Sequence, residues 1–248
     1  MIVRTLAEAI ANRTPVVLAT ITATDRSVPR RPGAKMLVFG DGSTLGTIGG
    51  GEMEARVRVA ARESLTTGAS RTLFFTLLDP ATGDPGVCGG EVHLFLEPYM
   101  PPKQLLVIGA GHVGQAVVEL ATWLELSCVV WDDRPEQLLT ITSADRVLGG
   151  PIEEAAALVD AHTAIVLLTR NVALDASLLP VLLATEAPIV GVMGSQRRWL
   201  TTLGLLRDAG VTASQLERIR TPVGLEIGAE SPKEIAVSVL AQIIAEVR

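Results

Sequence analysis

The chain has 248 residues, 48% of them hydrophobic and 3% aromatic, so it can bury one large core or two modest ones. Because aromatic side chains are few, the interior must consist mainly of Val, Leu, Ile and Ala, as in a parallel sheet covered by helices. The net charge of −6 excludes the broad basic face that nucleic-acid binding requires. Any anionic ligand must therefore meet a local cluster of Arg or Lys.

Cysteine content and apolar run lengths indicate the compartment. The two cysteines, Cys88 and Cys128, lack the paired spacing of a zinc site, which favours a reducing environment. The first residues have an amphipathic pattern unlike a signal peptide, and the longest apolar runs have the length of strands. We therefore expect a cytoplasmic protein that contacts neither nucleic acid nor membrane.

The first half of the chain has an α+β pattern with many turns. The predicted segments, in chain order, are a helix over 2–12, a strand over 16–21, a hairpin turning at 40–43, a helix over 51–67 that stops at Gly68, and strands over 72–78 and 91–96. Pro98, Pro101 and Pro102 predict a linker, because proline stiffens the chain and stops regular structure. We expect one domain over 1–98 and a second over 103–248.

Strands alternate with helices after Lys103, which predicts a parallel, doubly wound sheet. The segment GAGHVG, with Gly109, Gly111 and Gly114, directly follows one of these strands and opens a helix. In a dinucleotide-binding loop, such glycines allow a tight turn, close approach of a diphosphate and close helix packing. The chain is thus predicted to be α/β, with a small α+β domain followed by a Rossmann-like domain.

Other residues of this loop region extend the nucleotide hypothesis. Asp132 ends the next strand, where an acid would bind a ribose 2′-hydroxyl, whereas the nearby Arg134 would suit a 2′-phosphate. His112 is either a ligand contact or an exposed first residue of a helix. The glycines alone could equally serve close packing, and a pterin diphosphate could use the same N–H groups as a dinucleotide.

A basic turn stands out in the acidic chain. The segment SVPRRPGAKM at 27–36 places Arg30, Arg31 and Lys35 beside two prolines, which predicts a preorganised site for phosphate or oxo groups. The alternative is a solvated surface turn. A second basic turn, GSQRR at 194–198, follows a later strand, and its Ser195 and Arg197 are candidates for phosphate contact or for a solvated helix start.

A triple glycine and a cysteine loop complete the candidate set. Gly49, Gly50 and Gly51 lead into a helix that carries Glu54 in its first turn, a pattern that resembles an anion-binding nest. Cys88 is followed by two glycines, so its thiol could be exposed and serve as a soft metal ligand, or be a small buried hydrophobe. Cys128 lies in an apolar strand and is predicted to be structural.

Taken together, SVPRRPGAKM, GTIGGGEMEA and VCGGEV resemble the signature of the xanthine dehydrogenase accessory protein family, XdhC/CoxI. GAGHVG, WDDRPE, VGVMGSQRR and TPVGLEIGAESPKEIAVSVLAQII continue that resemblance through the second half. The chain departs from the family pattern at 169–171, where many relatives carry a histidine-bearing motif before the aspartate that is Asp175 here.

The resemblance implies a cytoplasmic homodimer that binds molybdenum cofactor (molybdopterin), protects it, and inserts it into a xanthine dehydrogenase-type molybdenum hydroxylase, with a cofactor sulfurase as a further partner. It assigns no catalytic residue and implies a chaperone rather than an enzyme. The implied cofactor contacts are Arg30, Arg31, Lys35, Gly49, Gly50, Gly51, Glu54 and Cys88, with Cys88 as the metal ligand.

Two other functions stay open at the level of sequence. The GAGHVG loop and Asp132 would suit an NAD(P)-dependent oxidoreductase, although no set of residues for proton relay accompanies them. A regulator that senses a nucleotide and binds a partner protein is the other alternative.

Overall fold

A computed structural model describes residues 1–77 and 90–246 of the chain. It divides into two compact units, Met1–Pro101 (unit 1) and Pro102–Arg248 (unit 2). Within the described ranges, no helix combines the length and the apolar character needed to cross a bilayer.

Unit 1 is an antiparallel sheet with a helix on each face. Its elements are α1 (Ile2–Ala11), β1 (Val16–Asp25), β2 (Lys35–Phe39), β3 (Thr44–Gly46), α2 (Gly51–Thr67), β4 (Arg71–Thr76) and β5 (Glu91–Tyr99), and the sheet order is β3-β2-β1-β5-β4. Side chains of β1 alternate between the faces. Val17 and Ala19 share a core with Val57 of α2, whereas Val16 shares one with Ala9 of α1.

Most of the predicted elements of unit 1 are confirmed. Ser43 follows the turn of the β2–β3 hairpin, and α2 ends at Gly68, which has a left-handed φ of +68°. The placement of Pro98 in a linker is wrong, because Pro98 lies in β5 opposite Val17. The pairing of β4 with β5 stops at Leu96, so β5 is an edge at Pro98, where the missing N–H costs no ladder bond.

Unit 2 is a parallel sheet connected by helices. Its elements are β6 (Gln104–Ile108), α3 (His112–Trp123), β7 (Ser127–Trp131), α4 (Pro135–Leu138), β8 (Arg146–Leu148), α5 (Ile152–Ala156), β9 (Thr163–Leu167), α6 (Val172–Leu183), β10 (Val190–Val192), α7 (Gln196–Asp208), α8 (Ala213–Leu216), β11 (Ile219–Arg220) and α9 (Pro232–Glu246). The strand order is β8-β7-β6-β9-β10-β11.

The strand order is that of the dinucleotide-binding Rossmann fold, which confirms the predicted α/β class. β7 lies on one side of β6, and β9 lies on the other side of β6. The order therefore reverses between β6 and β9, and ligands of such sheets bind beyond the carboxyl ends of the strands at this point. Gly109, Asp132 and Thr169 directly follow or lie close to these ends.

Two apolar cores cover the faces of the parallel sheet. One contains Val117 of α3 with Val239 and Ile243 of α9, and the other contains Leu179 of α6 and Leu206 of α7. The apolar face of α9 thus packs in a core. This helix begins with a capping box, in which the Ser231 and Glu234 side chains accept each other's backbone N–H at 3.3 and 2.9 Å.

The close contact at Gly114 gives a stability prediction. A Cβ at Gly114 would lie 1.9 Å from the Gly109 carbonyl oxygen, so Gly114→Ala should lower the free energy of unfolding by about 1–3 kcal/mol or more. Gly111→Ala is the matched control, because a Cβ there meets no atom within 4 Å. Urea unfolding monitored by circular dichroism measures both. Equal effects of the two substitutions would contradict the packing role of Gly114.

Candidate functional site

The basic segment of unit 1 is a fixed turn. In Arg31-Pro32-Gly33-Ala34 the Ala34 N–H donates to the Arg31 carbonyl at 3.2 Å, and Gly33 has a φ of +91°. Proline in the second position and a left-handed glycine in the third define a type II turn. Two further bonds, Gly33 N–H to the Ile21 carbonyl at 2.8 Å and Ile21 N–H to the Ala34 carbonyl at 3.0 Å, hold this turn against β1.

The three cations of this segment have different surroundings. Arg30 and Arg31 are exposed, and neither has an ion pair within residues 1–77 and 90–246. Lys35 is half-buried, and its Nζ donates to Oγ1 of Thr20 on the neighbouring strand at 3.2 Å. The two arginines are therefore the cations that solvent or a ligand can reach directly, whereas Lys35 already has a protein acceptor.

The triple glycine has a backbone that other residues cannot easily adopt. Gly49, Gly50 and Gly51 have φ values of +136°, +81° and +65°. A Cβ at Gly49 would lie 2.8 Å from Cγ of Pro29, whereas a Cβ at Gly50 would meet no atom within 4 Å. Gly49 is thus required by close packing, and Gly50 leaves an open approach to the backbone at the start of α2.

Glu54 occupies the inner side of the glycine loop. Its Oε1 accepts hydrogen bonds from Oγ1 of Thr47 at 2.6 Å and from the N–H groups of Gly50 at 2.9 Å and Ile48 at 3.1 Å. Burial of the carboxyl opposes its ionisation, but these bonds outweigh that cost and hold the pKa of Glu54 below its usual value of 4.5. The nest expected from the sequence therefore already contains an anion, the carboxylate of Glu54.

The structure brings together segments that are far apart in the sequence. Pro29 of the basic turn packs against Gly49 of the glycine loop. A Cβ at Gly90 would lie 2.3 Å from the Ser27 carbonyl oxygen, so the end of the cysteine loop touches the start of the basic segment. The basic turn thus contacts both of the other motifs, which the sequence alone did not show.

The predictions for the two cysteines have different outcomes. Cys88, predicted as a metal ligand, lies outside the described residues. Cys128 is buried, as predicted, and burial raises the pKa of its thiol to about 12, with a smaller contribution from Asp145. No group of three or more His, Cys, Asp or Glu side chains suited to a metal ion occurs within the part of the chain that the structure describes.

The glycine loop of unit 2 combines packing and openness. Gly114 packs on Gly109, and a Cβ at Gly109 would lie 2.9 Å from the Leu168 carbonyl oxygen at the end of β9. Gly111 faces open space, as close approach of a ligand requires. His112 is exposed as the first residue of α3. Its contact with a ligand stays a prediction.

The carboxylate of Asp132 is hydrogen-bonded by other groups of the same unit. Its side chain is 2% exposed, and it accepts the Ala110 N–H of the glycine loop at 2.7 Å. Arg134 adds its own N–H and two guanidinium N–H groups, at 2.8–2.9 Å. Burial raises the pKa of Asp132, but the Arg134 and Ala110 donors outweigh this, so the pKa is lowered. A ribose contact by Asp132 stays a prediction, and in this structure its oxygens already have partners.

A buried ion pair joins α6 and α7, the helices that follow β9 and β10. Asp175 accepts hydrogen bonds from Nη2 of Arg198 at 2.6 Å and from the Thr169 hydroxyl, and its side chain is 1% exposed. Arg198 also donates to the Thr169 carbonyl at 3.0 Å. Sequence reasoning missed this pair, although an Asp in the otherwise apolar helix α6 was a signal for it. Two neighbouring residues were predicted to contact phosphate. Ser195 caps α7, whereas Arg197 is exposed.

Glu54 gives a pH-dependent prediction. Glu54→Gln should lower the free energy of unfolding at pH 7 by roughly 1–3 kcal/mol, because buried loop donors lose a charged acceptor. Since the pKa of Glu54 is lower in the folded state, its contribution is complete above the unfolded value of 4.5 and disappears as the pH falls through the folded value.

Urea unfolding of both proteins at pH 7 and pH 3 measures this difference. Glu52→Gln is the control, because within the described residues Glu52 pairs with Arg56 one turn away on the helix, and its loss should change stability by less than about 0.5 kcal/mol. A difference between the wild type and Glu54→Gln that stays the same at both pH values would contradict this account of Glu54.

Three curated relatives are similar to the chain. It is 32% identical over 239 residues to the uncharacterized protein YqeB of Escherichia coli, covering 93% of the chain and 43% of YqeB. It is 30% identical over 156 residues to a probable xanthine dehydrogenase subunit of Bacillus subtilis, covering 61% of the chain and 45% of that protein. The chain thus spans less than half the length of these two relatives.

The third relative is the molybdenum cofactor insertion chaperone PaoD of Escherichia coli, 25% identical over 275 residues, with 98% of the chain and 86% of PaoD covered. Among solved structures, a protein described as a xanthine dehydrogenase from Bacillus halodurans matches with a TM-score of 0.51 and 23% identity, over 98% of the chain and 95% of that protein. This likeness shows the same fold.

Family profiles match both halves. The XdhC and CoxI family matches residues 9–76, and the XdhC Rossmann domain matches residues 105–243, more than half of the chain. These matches cover the basic turn, the triple glycine and the loop at 109–114, whose geometry is described above. The chain belongs to the XdhC/CoxI family.

Proposed function

We propose that the chain is an accessory protein that binds molybdenum cofactor, protects it, helps it mature, and delivers it to a xanthine dehydrogenase-type molybdenum hydroxylase. The observation that carries the proposal is the contact of the basic turn with the glycine loop through Pro29 and Gly49, beside two exposed arginines. The roles that the names of PaoD and of the Bacillus subtilis relative state support it.

The residues of unit 1 fit a ligand that carries phosphate and oxo groups. Arg30 and Arg31 offer planar, bidentate N–H donors, and hydrogen bonds to Ile21 hold the type II turn at 31–34 against β1. Gly50 leaves room for close approach at the start of α2, where the helix dipole favours an anion, although the Ile48 and Gly50 N–H groups already donate to Glu54. Such preorganisation lowers the entropy lost on binding.

The remaining candidates have separate roles in the proposal. Glu54 shapes the loop from within and acts as a positioning residue, rather than as a direct contact. Lys35 contributes its charge near Thr20. Cys88 is proposed as the soft ligand of the cofactor, which supplies the molybdenum and the dithiolene sulfurs when it is bound. We also propose a cytoplasmic homodimer, with a cofactor sulfurase as a second partner.

Asp132 does not support the oxidoreductase alternative in its NAD-dependent form. A ribose-binding acid requires a free acceptor, and the oxygens of Asp132 accept from Ala110 and Arg134 instead. A chaperone, by contrast, needs only binding and release. We therefore assign no catalytic residue to the chain.

A host that lacks this protein tests the delivery role. Its molybdenum hydroxylase should assemble with its normal polypeptides but contain little molybdenum and little pterin, so its activity should fall at least tenfold. Wild-type protein supplied in trans should restore metal content, as measured by elemental analysis of the purified hydroxylase. A hydroxylase with full metal content in the deletion host would reject the delivery role. Oxidoreductase activity is assayed separately, by adding a nucleotide cofactor to the purified chain.

A further inference from the structure

A pocket of unit 2, with a volume of about 10 Å³, lies at the reversal point of the strand order, beyond the ends of β6, β7 and β9. That volume admits a single water, so a larger ligand would contact the lining residues from the open side. The pocket is lined chiefly by Gly109, Asp132, Asp133, Arg134, Thr169 and Arg170. In dinucleotide-binding proteins this region holds the ribose next to the adenine, and the residue after the second strand decides which ribose is accepted. The pocket therefore contains the groups that would set ligand selectivity in this unit.

The pocket offers no acceptor at the usual position for a ribose diol. Each oxygen of Asp132 accepts two hydrogen bonds: Oδ2 from Ala110 and Arg134, and Oδ1 from the backbone and side-chain N–H groups of Arg134. An ionised carboxylate has about four lone-pair sites, so its capacity is filled. Asp132 thus links β7 to the glycine loop, and in this structure it has no lone pair left for a hydroxyl group.

The arginines of the pocket retain donors. Arg134 is 28% exposed and uses Nε and Nη2 on Asp132, so its Nη1 is without a partner within the described residues. Arg170 is exposed at the end of β9 and forms no ion pair within the same residues. Two arginines in the lining of one pocket offer guanidinium N–H donors that suit the three oxygens of a phosphate group.

Asp133 is the competing group. It is 43% exposed and lies 3.7 Å from Nε of Arg134, so its charge is largely hydrated and opposes an anion only weakly. Asp133 is also the carboxylate that an unphosphorylated ribose would have to use, because Asp132 is occupied. Its substitution therefore separates phosphate recognition from diol recognition.

We propose that the mouth of this pocket binds a phosphate monoester through Arg134 and Arg170 and selects against an unphosphorylated ribose diol. The phosphate belongs either to a 2′-phosphorylated adenine nucleotide or to a phosphorylated pterin, which share this chemistry. The proposal concerns unit 2 alone and does not depend on cofactor binding by unit 1.

Calorimetric titration of the full chain with NADP⁺ and NAD⁺ tests the selectivity, because these probes differ in one phosphate. NADP⁺ should bind at least tenfold more tightly, the change expected from charge-assisted hydrogen bonds. A second pair of probes, 6-hydroxymethylpterin phosphate and 6-hydroxymethylpterin, should show the same preference if the phosphate belongs to a pterin. The probe pair in which the phosphorylated compound binds more tightly identifies the class of molecule that carries the phosphate.

Variants assign the binding to the named residues. Arg170→Gln should weaken the binding of the preferred phosphorylated probe at least fivefold. It should not lower the stability of the protein, since Arg170 has no hydrogen bond or ion pair with another described side chain. Arg134→Lys should also weaken it, and Asp133→Asn should strengthen it. Arg146→Ala is the matched control. Arg146 is exposed at the amino end of β8, which is the end opposite the pocket, so its substitution should leave the affinity for the probes unchanged.

Three results would overturn the proposal. The first is that neither phosphorylated probe binds more tightly than its unphosphorylated partner. The second is NAD⁺ binding that Asp133→Asn abolishes, which would assign diol recognition to Asp133. The third is an unchanged affinity of the phosphorylated probes in both Arg170→Gln and Arg134→Lys.

Discussion

The hydrogen bonds between Glu54 and the loop at 47–50 are the interaction on which the surface of unit 1 depends. Three successive glycines with positive φ lose much conformational freedom on folding, and they have no side chains to hold them in place. A single carboxylate oxygen from the first turn of α2 accepts hydrogen bonds from Thr47, Ile48 and Gly50 and so holds the loop. Pro29 can then pack on Gly49, so the basic turn takes its position from a loop that Glu54 holds.

The same arrangement recurs in unit 2, where buried carboxylates fix the loops at the carboxyl ends of the strands. Asp132 binds the Ala110 N–H of the glycine loop, and Asp175 binds Arg198 beside Thr169. Glu54, Asp132 and Asp175 thus have hydrogen-bond partners within their own units, whereas Arg30, Arg31 and Arg170 are exposed without ion pairs in the described residues. A chain of net charge −6 can in this way present cations to an anionic ligand.

The fold followed from the sequence more completely than the site did. Alternating strand and helix patterns, the glycine loop at 109–114 and the stop at Gly68 depend on local chemistry that sequence shows directly. Pro98 was misplaced because its tolerance depends on where β4 ends. The roles of Glu54 and Asp132 depend on which donors tertiary structure brings to each oxygen, and a pattern of residue types does not contain that information.

Direct titration of the purified chain with molybdenum cofactor under nitrogen, followed by pterin fluorescence of the retained fraction, tests the central claim that the basic turn and the glycine loop form one binding surface. The account predicts a saturable complex that the double substitution Arg30→Ala and Arg31→Ala weakens at least tenfold, whereas Arg4→Ala, in an exposed pair on α1, leaves it unchanged. Absence of a complex, or equal binding by the double variant, would contradict it.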